Sequence, residues 1–211
     1  MNATDALILF VRRPERGKVK TRVAATAGDD AALAVYERLL AHTHAVTHGL
    51  SCDKYVFYAD AIVRDDLWEE GYHKLLQDRT DLGMRLYSAF RQVFGKGYRN
   101  VCVIGSDCPG LTQALLEDAF LRLNDNDLVI GPATDGGYYL LGMRGGTQEL
   151  FDDVAWSTSG VLRQTLDKAR TLGLVTDLLP ACSDVDTWDD VPEAWRAELA
   201  SVTSSPGSGS R

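Results

Sequence analysis

The most constraining feature of the sequence is the alternation of short apolar runs with segments of helical periodicity. Runs typical of buried strands occur at residues 6–11, 54–59, 73–77, 100–105, 127–131, 138–143 and 174–179. Helical patterns lie between them, at 29–48, at 82–94, from Thr112, from Ser157 or Ser159 to about Leu172, and at 191–199. Near-continuous apolar strands separated by helices are typical of a parallel sheet covered on both faces. The sequence therefore predicts an α/β fold of three layers.

The length and composition limit the classes of protein to be considered. The 211 residues suit a single domain, predicted over 1–200, and the polar segment 201–211 is predicted to be a disordered tail. A net charge of −8 argues against a nucleic-acid partner. No run of ~18 apolar residues predicts a membrane span, and the N-terminus lacks the pattern of a signal peptide. The four cysteines form no CxxC pair, so reduced thiols and a cytoplasmic location are expected.

Ligands of parallel sheets bind beyond the carboxyl ends of the strands, so the residues after each apolar run are the candidates for chemistry. A basic loop, "RRPERGKVKTR", follows the first run and carries six of the 22 basic residues of the chain. Such a loop leading into a helix can hold phosphates with backbone N–H groups and positive charges. The alternative is a solvated, charged loop without a ligand.

Carboxylates follow two further strands. Asp107 follows the run at 100–105 after a single serine, and a carboxylate at that edge can bind a divalent cation that also contacts phosphate. Asp184 and Asp186 follow the last strand and lie on one face if the segment is extended. The alternative is that these side chains only cap turns and helices; Thr187 and Asp190 have the spacing of a capping box.

The segment "GPATDGGYYLLG", at 131–142, joins two apolar runs by a turn longer than a hairpin requires. Because the preceding strand should end at the same edge as Asp107, the turn is expected to cross the ligand cleft. We predict that Asp135 lies toward an acceptor pocket, and that Gly136 and Gly137 leave room for a ligand against the backbone. A purely structural turn is the alternative.

Six segments occur in an order that resembles the GT-A-like nucleotide-diphospho-sugar transferase superfamily. They are "FVRRPERGKVKTRV", "DLGMRL", "IGSDCPGLT", "GPATDGGYYLLG", "WSTSGVLRQT" and "DVDTWDD", and the resemblance extends from residue 6 to about 195. The sequence is most similar to a branch of small bacterial proteins grouped with the glycosyltransferases. The molybdenum-cofactor and 2-phospholactate guanylyltransferases are more distant. The proline-and-charge loop with a single glycine departs from the nucleotidyltransferase pattern, and Ser106-Asp107-Cys108 departs from the Asp-x-Asp of glycosyltransferases.

The resemblance implies a Rossmann-like (GT-A), mixed but mostly parallel sheet and a nucleotide or nucleotide-sugar donor with a small-molecule acceptor. It implies Mg²⁺ or Mn²⁺ on Asp107 and Asp186, with Asp107, Asp135 and Lys20 as catalytic residues. It assigns nucleotide binding to Lys18, Lys20, Arg22 and Arg85, and the interpretation of the basic loop and the turn adds Arg12, Gly136 and Gly137.

Two functions remain open on the sequence. The preferred one is metal-dependent transfer of a glycosyl or nucleotidyl group from a nucleotide donor to a small acceptor. The alternative is a non-catalytic module of the same fold that binds a nucleotide or phospho-metabolite. The base, the sugar, the acceptor and the oligomeric state are not specified by the sequence.

Overall fold

The structure is a computed structural model that describes residues 4–203, with side chains described for residues 4–199. It contains a seven-stranded sheet in the order β3-β2-β1-β4-β6-β5-β7. The strands are β1 (Asp5–Val11), β2 (Asp53–Tyr58), β3 (Tyr72–Leu76), β4 (Asn100–Ile104), β5 (Leu128–Pro132), β6 (Tyr138–Met143) and β7 (Thr176–Leu178). The helices are α1 (Thr21–Ala27), α2 (Asp29–His48), α3 (Leu82–Phe94), α4 (Gln113–Arg122), α5 (Val161–Thr171) and α6 (Glu193–Thr203). Short 3₁₀ helices lie at Gln148–Leu150 and Trp188–Asp190.

The strand directions confirm the predicted mixed but mostly parallel sheet. β1 pairs in parallel with both β2 and β4, β2 with β3, and β5 with β7. Only β6 runs antiparallel to its neighbours β4 and β5. Since β2 and β4 lie on opposite sides of β1, the loops after β1 and β4 diverge and open a crevice between them.

Both faces of the sheet are covered because the side chains of each buried strand alternate between two apolar layers. In β1, Leu7 and Leu9 belong to the cluster that includes residues of α2 and α4. Ala6 and Ile8 belong to the cluster that includes residues of α3 and α5. This arrangement confirms the predicted helix–sheet–helix layers.

Local signals explain where several helices begin. The Asp81 side chain accepts from the Met84 backbone N–H at the start of α3, and the Thr112 side chain accepts from Leu115 at the start of α4. The predicted capping box of Thr187 and Asp190 is confirmed, although it starts the 3₁₀ helix rather than the longer helix expected there.

Two predictions about the chain differ from the structure. The basic loop is predicted to lead into the helix at 29–48, but the additional seven-residue helix α1 begins at Thr21 and lies between them. α6 continues to Thr203, three residues into the predicted tail, and the remaining tail residues lie outside the described part of the chain. No helix in residues 4–203 combines the length and apolar character that a membrane span requires.

Candidate active site

The main cavity of the described residues lies at the carboxyl ends of β1 to β4 and has a volume of about 580 Å³. Four of the six basic residues of the loop after β1 line it: Arg12, Lys18, Lys20 and Arg22. The other two do not line it: Arg13 pairs with Glu15, which also pairs with Lys18, and Arg16 pairs with Asp29 and Asp30 at the start of α2. The positive charge predicted for phosphate binding therefore faces the cavity.

Tyr36 of α2 fixes the start of the basic loop. Its buried hydroxyl accepts a hydrogen bond from the Arg12 backbone N–H at 2.8 Å and contacts the Arg12 carbonyl oxygen at 3.2 Å. It also lies 3.4 Å from the Ser106 hydroxyl, in the segment that follows β4. Burial raises the pKa of Tyr36, so the phenol stays protonated near neutral pH. Nothing in the sequence pattern distinguished this tyrosine from the core residues of α2.

Asp107 lies at the β4 end of the cavity and pairs with Lys20. The Lys20 ammonium is 2.7 Å from Asp107 Oδ1 and donates to the Val185 carbonyl oxygen at 2.6 Å. The Val185 backbone N–H donates to the Asp107 carbonyl oxygen at 2.9 Å. Lys20, Asp107 and the segment around Val185 thus form one connected cluster.

Asp184 and Asp186 flank Val185, and both line the cavity. Asp186 pairs with Arg22 at 3.2 Å. Burial raises the pKa of Asp184 to about 7, and the negative charges of Asp107 and Asp135 add to this shift. Asp184 was noted in the sequence only as a neighbour of Asp186, because its burial depends on contacts distant in the chain.

Arg85 lines the cavity near the ends of β2 and β3. Its Nη1 donates to Gln77 Oε1 at 3.2 Å, and Gln77 Nε2 donates to the Phe57 carbonyl oxygen at 2.9 Å. The Arg85 Nε atom is buried and has no hydrogen-bond partner. Gln77 directly follows β3, so the strand-end rule could have identified it.

The turn 133–137 is fixed by contacts within the protein. Asp135 is exposed, and its Oδ1 accepts from the Gly137 backbone N–H at 2.9 Å. Gly136 has φ +93, and a Cβ placed on it would lie 2.2 Å from the Ser159 carbonyl oxygen. The prediction that Gly136 leaves room for a ligand is therefore corrected: the backbone of residue 159 fills that space.

The predicted site residues thus divide into two groups. Arg12, Lys18, Lys20, Arg22, Arg85, Asp107 and Asp186 all line the cavity. Asp135, Gly136 and Gly137 are not part of this lining and lie in the turn after β5, which is at the same edge of the sheet as Asp107 because β4 and β5 both run antiparallel to β6. The lining also includes Tyr138, Tyr139 and Ser157, which the sequence did not indicate.

Cys108 follows Asp107 but does not have the character of a reactive thiol. It is buried, and burial raises the pKa of the thiol to about 12. The thiolate that nucleophilic or redox chemistry requires is therefore scarce near neutral pH.

Comparison with known proteins places this arrangement in a family. Residues 40–158, more than half of the chain, match the family model described as "Uncharacterized protein conserved in bacteria (DUF2064)". The chain belongs to the DUF2064 family. The matched segment of this DUF2064 protein runs from α2 to the loop before α5 and includes Arg85, Asp107 and Asp135. No curated protein matches the sequence.

Solved structures share the fold. A Desulfovibrio desulfuricans G20 protein, provisionally named a nucleotide-diphospho-sugar transferase, has a TM-score of 0.85 and 28% identity, covering 95% of this chain and 97% of its own. The inositol-1-phosphate CTP transferase of T. maritima has a TM-score of 0.57 and 14% identity, with 97% and 98% coverage. The 4-diphosphocytidyl-2C-methyl-D-erythritol synthase of Anaerococcus prevotii DSM 20548 has a TM-score of 0.56 and 10% identity, with 92% and 98% coverage. The predicted resemblance to the nucleotide-diphospho-sugar transferases is confirmed.

Proposed function

We propose that this DUF2064 protein is a transferase that moves a group from a nucleotide donor to a small acceptor. The observation that carries the proposal is the arrangement of positive and negative side chains in the cavity. Basic side chains of one loop and the carboxylates of Asp107, Asp184 and Asp186 meet at its β4 end. A diphosphate with a divalent cation presents the matching set of charges.

The sheet order supports an orientation for the nucleotide. Gln77 follows β3 and Asp107 follows β4, and these strands are separated by β2 and β1. Three strand spacings amount to roughly 14 Å, about the length of a nucleotide from base to distal phosphate. We place the base near Arg85 and Gln77, where a buried guanidinium N–H lacks an acceptor, and the phosphates at the basic loop.

The residues at the β4 end fit Mg²⁺ or Mn²⁺ as part of a nucleotide complex. The carboxylates of Asp107 and Asp186 are oxygen donors of the kind that these ions prefer, and basic side chains already stand beside both. Within the side chains described, no three His, Cys, Asp or Glu residues are grouped as a metal site. Mg²⁺ is commonly held by one or two carboxylates together with substrate phosphates, which agrees with this arrangement.

The proposed reaction would then depend on stabilising the phosphate charges and on positioning the donor and the acceptor. When bound, the divalent ion would neutralise negative charge on the donor phosphates. Lys18, Lys20 and Arg22 would contact the same phosphates and stabilise the charge that develops on the leaving group. Asp135, exposed beside the cavity, would orient an acceptor hydroxyl or accept its proton.

Attack at an anomeric carbon would make the protein a glycosyltransferase, and attack at the α-phosphorus a nucleotidyltransferase. The names of the relatives include both a nucleotide-diphospho-sugar transferase and a CTP transferase. The product distinguishes the two reactions, because the first releases a nucleoside diphosphate and the second releases pyrophosphate.

The test measures thermal stabilisation by a panel of nucleotides and nucleotide-sugars, with Mg²⁺ and with chelator. The nucleotides that stabilise the protein are then incubated with candidate acceptors, and the release of pyrophosphate or nucleoside diphosphate is measured. We expect stabilisation that requires Mg²⁺ and that disappears in Asp107→Asn. Asp189→Asn is the matched control, because this carboxylate of the neighbouring 3₁₀ helix is 96% exposed.

Two outcomes would contradict the proposal. Nucleotide binding in Asp107→Asn that still required Mg²⁺ would show that the metal site is assigned wrongly. Metal-dependent binding without turnover across all acceptors would favour the non-catalytic module.

A further inference from the structure

Lys20 differs from the other basic residues of its loop in burial. Its side chain is 9% exposed, against 69% for Lys18 and 73% for Arg22. The two named contacts of its ammonium are both with oxygen atoms, Asp107 Oδ1 and the Val185 carbonyl oxygen. A lysine ammonium is strongly hydrated, so its burial requires this replacement of water by protein oxygens.

The backbone of Lys20 is also constrained. Lys20 precedes α1 with φ 46 and ψ 48, in the left-handed region that a side-chain-bearing residue rarely adopts. The contacts of the ammonium therefore hold a conformation that the loop would not favour alone. The side chain is positioned toward Asp107 instead of extending into water.

A carboxylate oxygen and a backbone carbonyl oxygen are also ligands that a hard divalent cation accepts. An ammonium in contact with Asp107 Oδ1 and a metal ion on the same oxygen would repel each other at short range. The two cations therefore compete for this oxygen, and the ammonium weakens metal binding while it is in contact with Asp107.

We propose that the Lys20 ammonium occupies the divalent-cation position at Asp107 in the ligand-free protein and so keeps metal affinity low until a nucleotide binds. Phosphate oxygens then offer Lys20 a new charged acceptor and free Asp107 for the metal. Since coupling between two ligands is reciprocal, the metal also strengthens nucleotide binding. The nucleotide part of this inference rests on the proposed function, whereas the competition between Lys20 and metal does not.

The test is titration of the full chain with Mn²⁺ alone, followed by the electron paramagnetic resonance signal of free Mn²⁺. We expect Lys20→Met to bind Mn²⁺ at least ~10-fold more tightly than the unmodified protein, a change of about 1.4 kcal/mol. Adding Asp107→Asn to Lys20→Met should abolish the gain. Lys20→Arg keeps the positive charge and should retain weak binding.

Arg13→Met is the matched control, because it removes one positive charge from the same loop at a side chain that pairs with Glu15. It should change Mn²⁺ affinity by no more than about twofold, since exposed charges at a distance are screened. Circular dichroism and thermal melting check folding, and Lys20→Gln is the second variant if Lys20→Met does not fold.

The inference is overturned if folded Lys20→Met binds Mn²⁺ no more tightly than the unmodified protein, or if Arg13→Met gains as much. Failure of the proposed function has a different signature, because no nucleotide would then stabilise the unmodified protein even with Mg²⁺. The two failures are therefore distinguishable.

Discussion

At the scale of single residues, the turn beside the cavity depends on a close backbone approach. Gly136 combines φ +93 with contact to the Ser159 backbone, and its carbonyl oxygen accepts from the Leu162 backbone N–H at 2.9 Å. This glycine therefore joins the turn 133–137 to the start of α5. The backbone conformation of Gly136 therefore affects the position of Asp135 whether or not a ligand contacts the glycine.

Gly136→Ala should destabilise the fold more than an alanine at a glycine with similar φ and open surroundings. Gly145 is the matched control, with φ +107 and no atom near the site of a Cβ. We expect a loss of ~1 kcal/mol in unfolding free energy for Gly145→Ala, from backbone strain alone. Gly136→Ala should lose ~3 kcal/mol or more, because backbone atoms must also move. Chemical denaturation measures both; equal losses would contradict the close approach.

Arg85→Met should weaken nucleotide binding, and it should also cost about 1–3 kcal/mol of unfolding free energy because Gln77 Oε1 loses its donor. A hydrogen bond to a charged group contributes about 1.5–3 kcal/mol, so a loss of roughly 10- to 100-fold in affinity is expected if Arg85 contacts the base. Arg91→Met is the control on the same helix, because that guanidinium lies 5.9 Å from the Tyr87 ring centroid and is exposed. Calorimetric titration with the nucleotide identified by the stability panel measures both; equal affinities would place the base elsewhere.

At the scale of elements, α2 holds two segments of the candidate site in place. Through Tyr36 this helix fixes the backbone of Arg12 and approaches Ser106, so that one hydroxyl connects the segments that follow β1 and β4. The crevice between these strands is therefore maintained from one face of the sheet.

Tyr36→Phe should reduce both stability and nucleotide affinity. Removal of a buried hydroxyl leaves the Arg12 backbone groups without this partner, which costs about 1–3 kcal/mol of unfolding free energy. Tyr98→Phe removes a hydroxyl bonded to Asp53 and Tyr55, distant from the cavity lining. It should affect stability without changing nucleotide affinity. If both variants bound the nucleotide equally well, the hydrogen bonds between Tyr36 and the Arg12 backbone would have no role in nucleotide binding.

Elements with strong local signals could be predicted closely, and those set by tertiary contacts could not. The bounds of α2, α3 and β6 match the sequence prediction, because apolar periodicity defines all three and the Asp81 cap marks the start of α3. α1 was missed because it is short and follows a loop rich in charge and turn residues. The antiparallel direction of β6 is invisible to periodicity, since a buried strand reads the same in either direction.

The candidate site shows the same division. Residues that directly follow strands, such as Asp107, could be located from the sequence because the fold class fixes where strands end. The pairing of Lys20 with Asp107 and the burial of Asp184 could not, because they bring together residues far apart in the chain.

At the scale of the whole molecule, the centre of the sheet is buried and its β7 edge is short and partly exposed. β1 lies between two parallel partners and is almost fully buried, whereas β7 is a three-residue edge strand whose Leu178 is 43% exposed. The end of the cavity that carries the basic loop and Asp107 is therefore built on the buried strands β1 and β4.

Hydrogen exchange should reflect this gradient. We expect amides of β1 and β4 to exchange at rates set by global unfolding, and those of β7 to exchange through local opening several orders of magnitude faster. Exchange measured by mass spectrometry on peptides from these strands tests it. Protection of β7 equal to that of β1 would show that the edge is covered by something else, such as a second copy of the chain.

The segment after β7 limits the distance between the turn that carries Asp135 and the end of the cavity that carries Asp107. Cys182 is bonded on one side to Pro132 and Thr134, beside the turn that carries Asp135, and Val185 is bonded to Asp107 on the other. Two residues lie between these anchors, and three residue steps of extended chain span at most ~11 Å. The covalent length of this segment therefore keeps the turn that carries Asp135 close to the Asp107 end of the cavity, whatever ligand binds between them.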